Sequence, residues 1–421
     1  MSTTAGLSSI GVYVPHLRVA RGEAERAVAA ADEDTLTLAV EAAHLCLEEV
    51  EPLSIGGLFF ASVTPSEDER QRASVLASVC DLPRDIATAD FGGSTRAGLA
   101  ALVAAVRAVD AGVRKVLVVA SDCRRPAARA GGLGDGAVAL VIDRKAALAR
   151  FAGSAAVAWD FGFQHPGARD QAGEPRPHRD LAEVVERVIN ECGVGYEEIA
   201  WLAVGSPGAR MGSKVAEMVG IDASARLADG HTRRVGILGT ADPLVQLATA
   251  LHGATAGDRI VAAAAGEGAE AILLEAGEGV GDPAHDPKAA FVRRRAVETA
   301  PAPLAPVFGS TEVDPAAIER NTRLYGTRCA ACSAVQFPEV EKCASCGARE
   351  GLEPAKLGKR GRVVATAAEK CVVEVDGGGR LELASTDAPA GGLGSGTNVW
   401  LTFRRATSPG GPRYAWKARP R

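Results

Sequence analysis

Cys329-Ala-Ala-Cys332 and, ten residues later, Cys343-Ala-Ser-Cys346 are the stretch from which the organisation of this chain is read most directly. Each Cys-x-x-Cys pair presents two thiolates, and four thiolates complete a tetrahedral shell that suits Zn²⁺ and closes it against substrate. Four unrelated free cysteines, or disulfides, are the alternatives. The equal spacing within the two pairs, and the single, scattered positions of the other five cysteines, favour a structural zinc site.

The composition indicates the fold class of the rest of the chain. With 421 residues, the chain is long enough for two or three domains. Hydrophobic residues make up 47% of it and aromatic residues only 4%, so the core must be built from small, closely packed side chains. This favours a layered α/β architecture with helices lying directly on sheets.

The charge distribution limits the kinds of molecule that the chain is expected to bind. The net charge of -5 argues against nucleic acid as the main partner of the whole chain. From Leu357 to Arg421, eleven Lys and Arg residues face five Asp and Glu residues, an excess that would suit the phosphates of a nucleotide-bearing substrate, an acidic partner or simply solvent. The sequence shows neither a membrane span nor an export signal, so we expect a cytoplasmic protein.

Residues 1–150 alternate strands and helices. The predicted strands include Ser9–Pro15, Ile55–Val63, Asp85–Ala89 and Val113–Ser121, and a long helix is predicted from about Asp34 to Val50. Residues 151–277 repeat this pattern, with a helix from Leu181 to Cys192 and strands such as Ile199–Val204 and Ile260–Ala265. Two such consecutive sets predict a duplicated α/β domain.

A sharp turn in the first half presents a candidate functional residue. Phe91-Gly-Gly-Ser94-Thr-Arg-Ala-Gly98 has small residues where a strand would turn abruptly into a helix. A polar group at such an elbow lies at the positive end of a helix dipole, where developing negative charge is stabilised. Ser94 is therefore a candidate for contact with substrate.

The C-terminal part of the chain divides into three segments. Residues 278–322 begin as a polar, proline-rich stretch and are predicted to be a linker. Residues 323–356 contain the four cysteines. Residues 357–421 contain short β-rich runs separated by glycine turns, which predict a small antiparallel barrel.

Two families resemble these parts. Tyr325-Gly-Thr-Arg-Cys329, the cysteine pairs with Phe337-Pro between them, and Leu357-Gly-Lys-Arg-Gly361 resemble the rubredoxin-like zinc ribbon plus OB-fold module of the DUF35 type, which accompanies thiolase-type enzymes that act on acyl-CoA. The preceding domain resembles the thiolase superfamily, in its hydroxymethylglutaryl-CoA synthase and type III ketoacyl synthase branch. Gly11-Val-Tyr-Val-Pro15, Gly134-Asp-Gly-Ala137 and Gly266-Glu-Gly268 are similar to the family's first strand, glycine loop and closing turn.

The resemblance implies a duplicated five-layer thiolase-like fold and an acyl-CoA substrate bound by glycine-rich turns. The positions that match those turns are Gly205, Ser206, Gly236, Gly266 and Gly268. The family's nucleophilic cysteine matches Ser94, its histidine matches Gly205 or Ser206, its asparagine matches Ile237, and its acidic residue falls near Val63. The usual catalytic side chains are therefore replaced, and the acyl-cysteine mechanism does not transfer.

Several residues remain as candidates for the chemistry. Ser94 either forms an acyl-enzyme, which would need an adjacent base, or donates a hydrogen bond to a thioester carbonyl, or merely closes the elbow. His231 is a candidate catalytic residue because it precedes the turn at Gly236. The carboxylates near turns are alternative bases or ordinary turn residues, namely Asp90, Asp135, Asp242 and Glu267.

The leading hypothesis is a homodimeric enzyme that makes or breaks a carbon-carbon bond next to a coenzyme A thioester, an acyltransferase or C-C lyase. Because no covalent acyl intermediate is required, the substituted site favours aldol or retro-aldol chemistry. The alternative is a non-catalytic acyl-CoA-binding subunit that serves a second thiolase-like chain. Binding of nucleic acid by the barrel is a third reading, disfavoured by the few aromatic residues there.

Overall fold

The computed structural model describes residues 5–64, 71–124, 132–158, 176–205, 210–222, 226–228, 231–282, 286–287, 290–291, 295–302, 304, 315–367, 370–389, 391–406 and 414–421. The chain forms two compact units, Met1–Ala77 with Leu82–Pro303 and Ser78–Asp81 with Leu304–Arg421. In the described part, no helix is long and apolar enough to cross a bilayer.

In the first half of the α/β domain, up to Asp143, the described residues form seven strands and three α-helices. The strands are β1 (Gly6–Tyr13), β2 (Leu17–Arg21), β3 (Ala24–Val28), β4 (Gly57–Ala61), β5 (Ala87–Phe91), β6 (Val116–Asp122) and β7 (Gly136–Asp143). The helices are α1 (Thr35–Cys46), α2 (Arg72–Val79) and α3 (Ala97–Asp110). Helix α1 begins where it was predicted because Asp34 and Thr37 form a reciprocal capping box.

The second half contributes the remaining elements of this unit. Its strands are β8 (Ala149–Ala158), β9 (Ile199–Gly205), β10 (Arg259–Gly266), β11 (Gly268–Ala276) and β12 (Arg295–Val297). Its helices are α4 (Arg176–Glu191), α5 (Met211–Val219), α6 (Thr232–Val235) and α7 (Asp242–Gly253).

Strand order shows the duplication. Nine strands form one hydrogen-bonded sheet in the order β5-β4-β6-β7-β1-β8-β11-β10-β9. In the first half, β1 and β7 are antiparallel, β7 and β6 are antiparallel, and β6, β4 and β5 are parallel. The second half repeats these directions in β8, β11, β10 and β9, and a parallel bridge from Leu202 to Leu227 stands where a fifth strand would lie.

The helices complete five layers. Helices α3 and α7 pack against each other between the two halves of the sheet, α1 packs on β1 and β7, and α4 packs on β8 and β11. Strand β10 has a hydrophobic core on each of its two faces. Ile260, Ala262 and Ala264 face the core that contains α3 and α7, whereas Val261 and Ala263 face the core formed by α4 and α5. The predicted duplicated five-layer fold, with its core of small side chains, is confirmed.

Some elements differ from the prediction. Strand β5 lies two residues later than the predicted Asp85–Ala89, and β8 was not predicted because its exposed and buried positions are irregular. The segment predicted as a linker contains β12, which pairs in parallel with β2 in the small sheet β12-β2-β3. Backbone pairing with a hairpin is not visible in the sequence of such a short, largely exposed run.

From Leu304 onward, the described residues of the second unit form one α-helix and two sheets. Helix α8 (Pro315–Thr322) is followed by β13 (Tyr325–Cys329), β14 (Val335–Gln336) and β15 (Leu352–Lys356). The other strands are β16 (Arg360–Ala367), β17 (Lys370–Val375), β18 (Arg380–Ala384), β19 (Asn398–Arg405) and β20 (Tyr414–Pro420). They form the antiparallel order β18-β17-β16-β19-β20. A bridge from Ser385 to Ala418 curls this sheet into a half-barrel.

Candidate functional site

The elbow between β5 and α3 brings two hydroxyl groups to the end of strand β10. Ser94 Oγ accepts a hydrogen bond from the backbone N–H of Glu267 at 3.3 Å. Thr95 Oγ1 donates to the carbonyl oxygen of Ala265 at 2.6 Å. The approach is close, because a Cβ atom at Gly266 would lie 1.8 Å from Ser94 Oγ. Any side chain at position 266 would therefore displace the Ser94 hydroxyl from this contact.

A small cavity, called the elbow cavity here, lies beside this contact. Its volume is about 40 Å³. It is lined by Thr95, Arg124, Leu133, Gly205, Ile237, Gly239, Pro243, Ala264 and Ala265. Gly205 and Ala264 are neighbours at the carboxyl ends of the parallel strands β9 and β10, which is where open α/β sheets place their ligands. The described lining contains no histidine, cysteine or carboxylate.

Thr95 is the residue that the sequence reasoning missed. It lines the cavity, whereas Ser94, one residue earlier, is directed at the backbone of Glu267. The signal that could have found it is position, because Thr95 directly precedes Arg96, the residue at the N-terminal boundary of α3. The catalytic role predicted for Ser94 stays a prediction, and Thr95 becomes a second candidate.

The predicted substrate-binding glycines fall into two groups. Gly205 lines the cavity, and Gly236, with φ of 83°, precedes the lining residue Ile237. Gly266 and Gly268 instead permit close backbone approaches, since a Cβ atom at Gly268 would lie 1.9 Å from the carbonyl oxygen of Val157. Ser206 lies outside the described residues.

Position 205, one of the two that match the family's histidine, has no room for a side chain. A Cβ atom at Gly205 would lie 2.5 Å from both Cβ and Cδ of Pro243. The proline ring occupies the volume into which a side chain would extend. The absence of histidine at this position is thus coupled to the presence of proline in the neighbouring helix.

His231 is buried and paired rather than directed at the cavity. Its Nε2 atom lies 3.0 Å from Asp242 Oδ1, and the two side chains are 1% and 2% exposed. Asp242 Oδ1 also accepts the backbone N–H of Leu238 at 3.1 Å, and the His231 ring packs on Phe291 with centroids 5.5 Å apart. In this arrangement His231 supports the turn that forms one cavity wall, and its predicted catalytic role stays a prediction.

Two of the other carboxylates proposed as bases, Asp90 and Asp135, have structural partners, whereas Oε2 of Glu267 is buried and has no hydrogen-bond partner among the described residues. Asp90 accepts the backbone N–H groups of Arg72 and Ala73 at 2.8 and 2.9 Å and so caps α2. Asp135 accepts the backbone N–H groups of Ala29 and Arg124 at 2.8 and 2.6 Å. Both fit the alternative reading as caps or turn residues.

Asp122, at the end of β6, is the most heavily bonded side chain near the cavity. Its Oδ1 atom accepts hydrogen bonds from Ser62 Oγ, the N–H of Val63, and both the N–H and the Oγ1 of Thr64, at 2.9 to 3.0 Å. Its Oδ2 atom accepts the N–H and Oγ1 of Thr240 at 2.6 and 2.9 Å. The fully buried carboxylate therefore joins the segment that follows β4 and the turn at Thr240 to the end of β6.

Glu270 lies near the elbow in a different environment. It is buried on β11, and burial raises the pKa of its carboxyl group, opposed by the charges of Arg96 and Arg107. The Arg96 guanidinium is 3.8 Å away. This residue was not singled out from the sequence, because neither its burial nor its neighbour across the fold is visible there.

The four predicted metal ligands come together in the second unit. The sulfur atoms of Cys329, Cys332, Cys343 and Cys346 all lie within 4.8 Å of one another. Two of the separations are 3.6 Å, close to the ~3.8 Å edge of a tetrahedron with ordinary Zn–S bonds. The backbone N–H of Cys346, with that of Ser345, lowers the pKa of the Cys343 thiol to about 6, which favours the thiolate form that binds metal.

The half-barrel carries an open groove of about 720 Å³. Its lining includes three arginines, Arg360, Arg362 and Arg421, and two acidic residues, Glu374 and Asp376. The indole of Trp400 already lies under the guanidinium groups of Arg360 and Arg421, at 4.5 and 5.9 Å. An aromatic ring engaged in this way is a poor platform for stacking bases.

Known proteins are similar to both parts of the chain, the zinc ribbon and the larger α/β unit. Residues 318–353 match the family described as ChsH2, rubredoxin-like zinc ribbon domain. The chain is 26% identical over 294 residues to the hydroxymethylglutaryl-CoA synthase of Pyrococcus horikoshii, covering 63% of this chain and 83% of that protein. It is also 26% identical over 309 residues to the Methanopyrus kandleri synthase, covering 64% and 86%.

Solved structures share the fold of the first unit. One is MvaS in complex with 3-hydroxy-3-methylglutaryl coenzyme A, with a TM-score of 0.59, 22% identity, and coverage of 70% of this chain and 90% of that one. Another is 3-oxoacyl-[acyl-carrier-protein] synthase III from Aquifex aeolicus, with a TM-score of 0.55, 20% identity, and coverage of 64% and 99%. The predicted architecture of a thiolase-like domain joined to a zinc ribbon is confirmed.

Proposed function

We propose that this chain, a thiolase-like domain joined to a rubredoxin-like zinc ribbon, binds an acyl-CoA and makes or breaks a carbon-carbon bond beside the thioester. Relatives with hydroxymethylglutaryl-CoA synthase activity in their names support the substrate class. The observation that carries the proposal is the elbow cavity, which combines a hydroxyl, a guanidinium group and small apolar walls at the strand ends.

The reaction type that we propose is aldol or retro-aldol. Both pass through an enolate whose negative charge lies largely on the thioester oxygen, and hydrogen-bond donors held in a site without bulk water stabilise that charge. Such chemistry does not need an acyl-cysteine, but a base has to take the proton of the 3-hydroxyl group as the Cα–Cβ bond breaks, or the proton of the α-carbon in the aldol direction. Glu267, beside Ser94, is the candidate for that base, because its Oε2 atom is buried and has no hydrogen-bond partner among the described residues. In this account the Thr95 hydroxyl exchanges its bond to the carbonyl oxygen of Ala265 for one to the thioester oxygen, and Ser94 lies next to it on the elbow.

Turnover of a panel of acyl-CoA and 3-hydroxyacyl-CoA esters by the purified protein tests the proposal. Thr95→Val keeps the shape of the side chain and removes the hydroxyl, and we expect at least a tenfold loss of turnover. Ser94→Ala tests the original candidate in parallel. Thr249→Val on α7 is the matched control, since its hydroxyl only bonds the carbonyl oxygen of Val245 at 3.1 Å. Failure to bind any coenzyme A ester would reject the proposal.

The second candidate is a non-catalytic acyl-CoA-binding subunit for another thiolase-like chain. The collision between position 205 and Pro243 favours it, because no base can be accommodated there. Binding of acyl-CoA without turnover by the isolated chain, and turnover only after a partner chain is added, would support this candidate over the first.

We further propose a cytoplasmic homodimer that holds one structural Zn²⁺ per chain. Strand β5 ends the nine-stranded sheet, and a sheet edge is a natural place for a second copy to add its own strand. Light scattering coupled to gel filtration gives the oligomeric state, and metal analysis gives the zinc content. A monomer at micromolar concentration would remove the dimer from the proposal.

A further inference from the structure

We infer that Arg124 binds the carbonyl oxygen of the thioester in the elbow cavity, with Asp122 as its positioning residue; this inference rests on the proposed function. Arg124 lines the cavity opposite the strand ends that carry Ala264 and Ala265. A guanidinium group carries five N–H donors and no acceptor, so a cavity that contains one is suited to an oxygen with negative charge.

The backbone of Arg124 is fixed while part of its side chain lacks a partner. The backbone N–H donates to Asp135 Oδ1 at 2.6 Å, which fixes the point from which the side chain extends. The Nε atom is buried and has no hydrogen-bond partner in the described part of the chain. Buried donors are almost always satisfied, and this one lies on a side chain that borders an empty space of the right size for an acceptor.

Asp122 holds the guanidinium at a distance without satisfying it. Arg124 Nη2 lies 4.0 Å from Asp122 Oδ2, beyond hydrogen-bond range. The same carboxylate already accepts six hydrogen bonds from the turns around it. Its lone pairs are therefore committed elsewhere, and the contact with Arg124 is an electrostatic one that orients the side chain.

Gly239 keeps this arrangement open. A Cβ atom there would lie 2.1 Å from Asp122 Oδ2 and 2.9 Å from Arg124 Nη2, so any larger residue would displace one of the two charged groups. The residue has a φ of 63°, which glycine adopts without strain. The turn that carries Gly239 thus leaves the space between the carboxylate and the guanidinium free of side-chain atoms.

The cavity selects a small group. Its volume of about 40 Å³ holds a carbonyl and the carbon next to it but no extended acyl chain. Leu133, Ile237 and Ala264 form apolar walls, and a charged donor interacts more strongly with an acceptor in such surroundings than in solvent. Arg124 then takes the place of the neutral hydrogen-bond donors that commonly stabilise an enolate oxygen.

The test measures how strongly the bound carbonyl is polarised. Acetyl-CoA labelled with ¹³C at the carbonyl is bound to the wild-type protein, and the carbonyl resonance is compared with that of the free ester. We expect a downfield shift on binding to wild type, loss of that shift in Arg124→Gln, and a partial shift in Arg124→Lys. Removal of one charge-assisted hydrogen bond should also weaken binding roughly tenfold. Arg187→Gln, which removes a surface pair with Glu183, is the control and should match wild type.

The outcomes separate this inference from the proposed function. If wild type binds the ester and Arg124→Gln gives an unchanged resonance and affinity, the role of Arg124 is refuted and the proposed function stands. If wild type binds no acyl-CoA, both fall. Circular dichroism reports whether Arg124→Gln is folded; if it is not, the Lys variant decides, because a wild-type shift in that variant would exclude recognition by the guanidinium group.

Discussion

Replacement of Asp122 by asparagine tests whether one buried carboxylate organises the elbow cavity. Asparagine has the same shape but only one acceptor oxygen. Directed toward the four donors of Ser62, Val63 and Thr64, that oxygen leaves an NH₂ group facing the backbone N–H of Thr240, which is fully buried. The hydroxyl of Thr240 can rotate to accept a bond, but its N–H cannot.

The magnitude follows from counting the bonds. One buried N–H left unsatisfied costs about 1 to 3 kcal/mol, and hydrogen bonds to a charged acceptor are each worth roughly 1 kcal/mol more than those to a neutral one. Because four bonds at Oδ1 lose that assistance and do not respond additively, we expect a total loss of about 3 to 5 kcal/mol. Such a value is large for an isosteric change.

Urea denaturation followed by circular dichroism measures this loss. The helical signal reports mainly on the first unit, which holds α1 to α7 among the described helices. The urea concentration at the midpoint of unfolding should fall, while the dependence of the unfolding free energy on urea concentration should stay unchanged. Asp143→Asn is the matched control, since Asp143 is also buried but makes a single ion pair with Lys115 at 3.1 Å. A loss below about 1 kcal/mol for Asp122→Asn would refute the reasoning.

Three further changes are predicted from the geometry. Cys343→Ser should remove bound Zn²⁺ from the ribbon, which metal analysis of the purified variant would detect, and should leave the helical signal of the first unit unchanged. Gly205→Ala should destabilise the protein by about 1 to 3 kcal/mol, because the added methyl group overlaps the ring of Pro243; urea denaturation would measure the change. Burial raises the pKa of Glu270 in the folded state, so its contribution to stability is full below the unfolded value near 4.5 and is lost as pH rises through the folded value. Glu270→Gln should remove this fall, as thermal unfolding across that pH range would reveal.

The layered α/β fold could be predicted because buried helices and strands have apolar residues at regular spacing in the sequence. Helix α1 and strand β6 are predicted correctly from the sequence, since most of the positions that each buries are apolar. Strand β8 was missed because it crosses between the two halves with mixed exposure. Strand β12 was missed because only a three-residue register with β2 defines it.

The metal ligands could be predicted and the cavity could not. Two Cys-x-x-Cys turns fix four ligands through local spacing, so a sequence motif carries the whole site. The elbow cavity instead gathers Thr95, Arg124, Gly205 and Pro243 from four distant segments. Asp122 follows a predicted strand and so had a positional signal, but its partners Ser62 to Thr64 and Thr240 are joined only by the fold.

The elbow also shows why resemblance and residue type are a weak guide to a single position. Ser94 and Thr95 both carry hydroxyl groups, and a one-residue difference in a tight turn rotates a side chain to another face. Ser94 Oγ lies against the backbone at Gly266 and Glu267, whereas Thr95 lines the cavity. Meanwhile Pro243 fills the volume beside Gly205, so returning a histidine to position 205 would require removing the proline as well. Any chemistry in the cavity therefore has to begin from the hydroxyl and the guanidinium that border it, and substitutions of Thr95 and Arg124 should be coupled rather than additive in their effect on turnover.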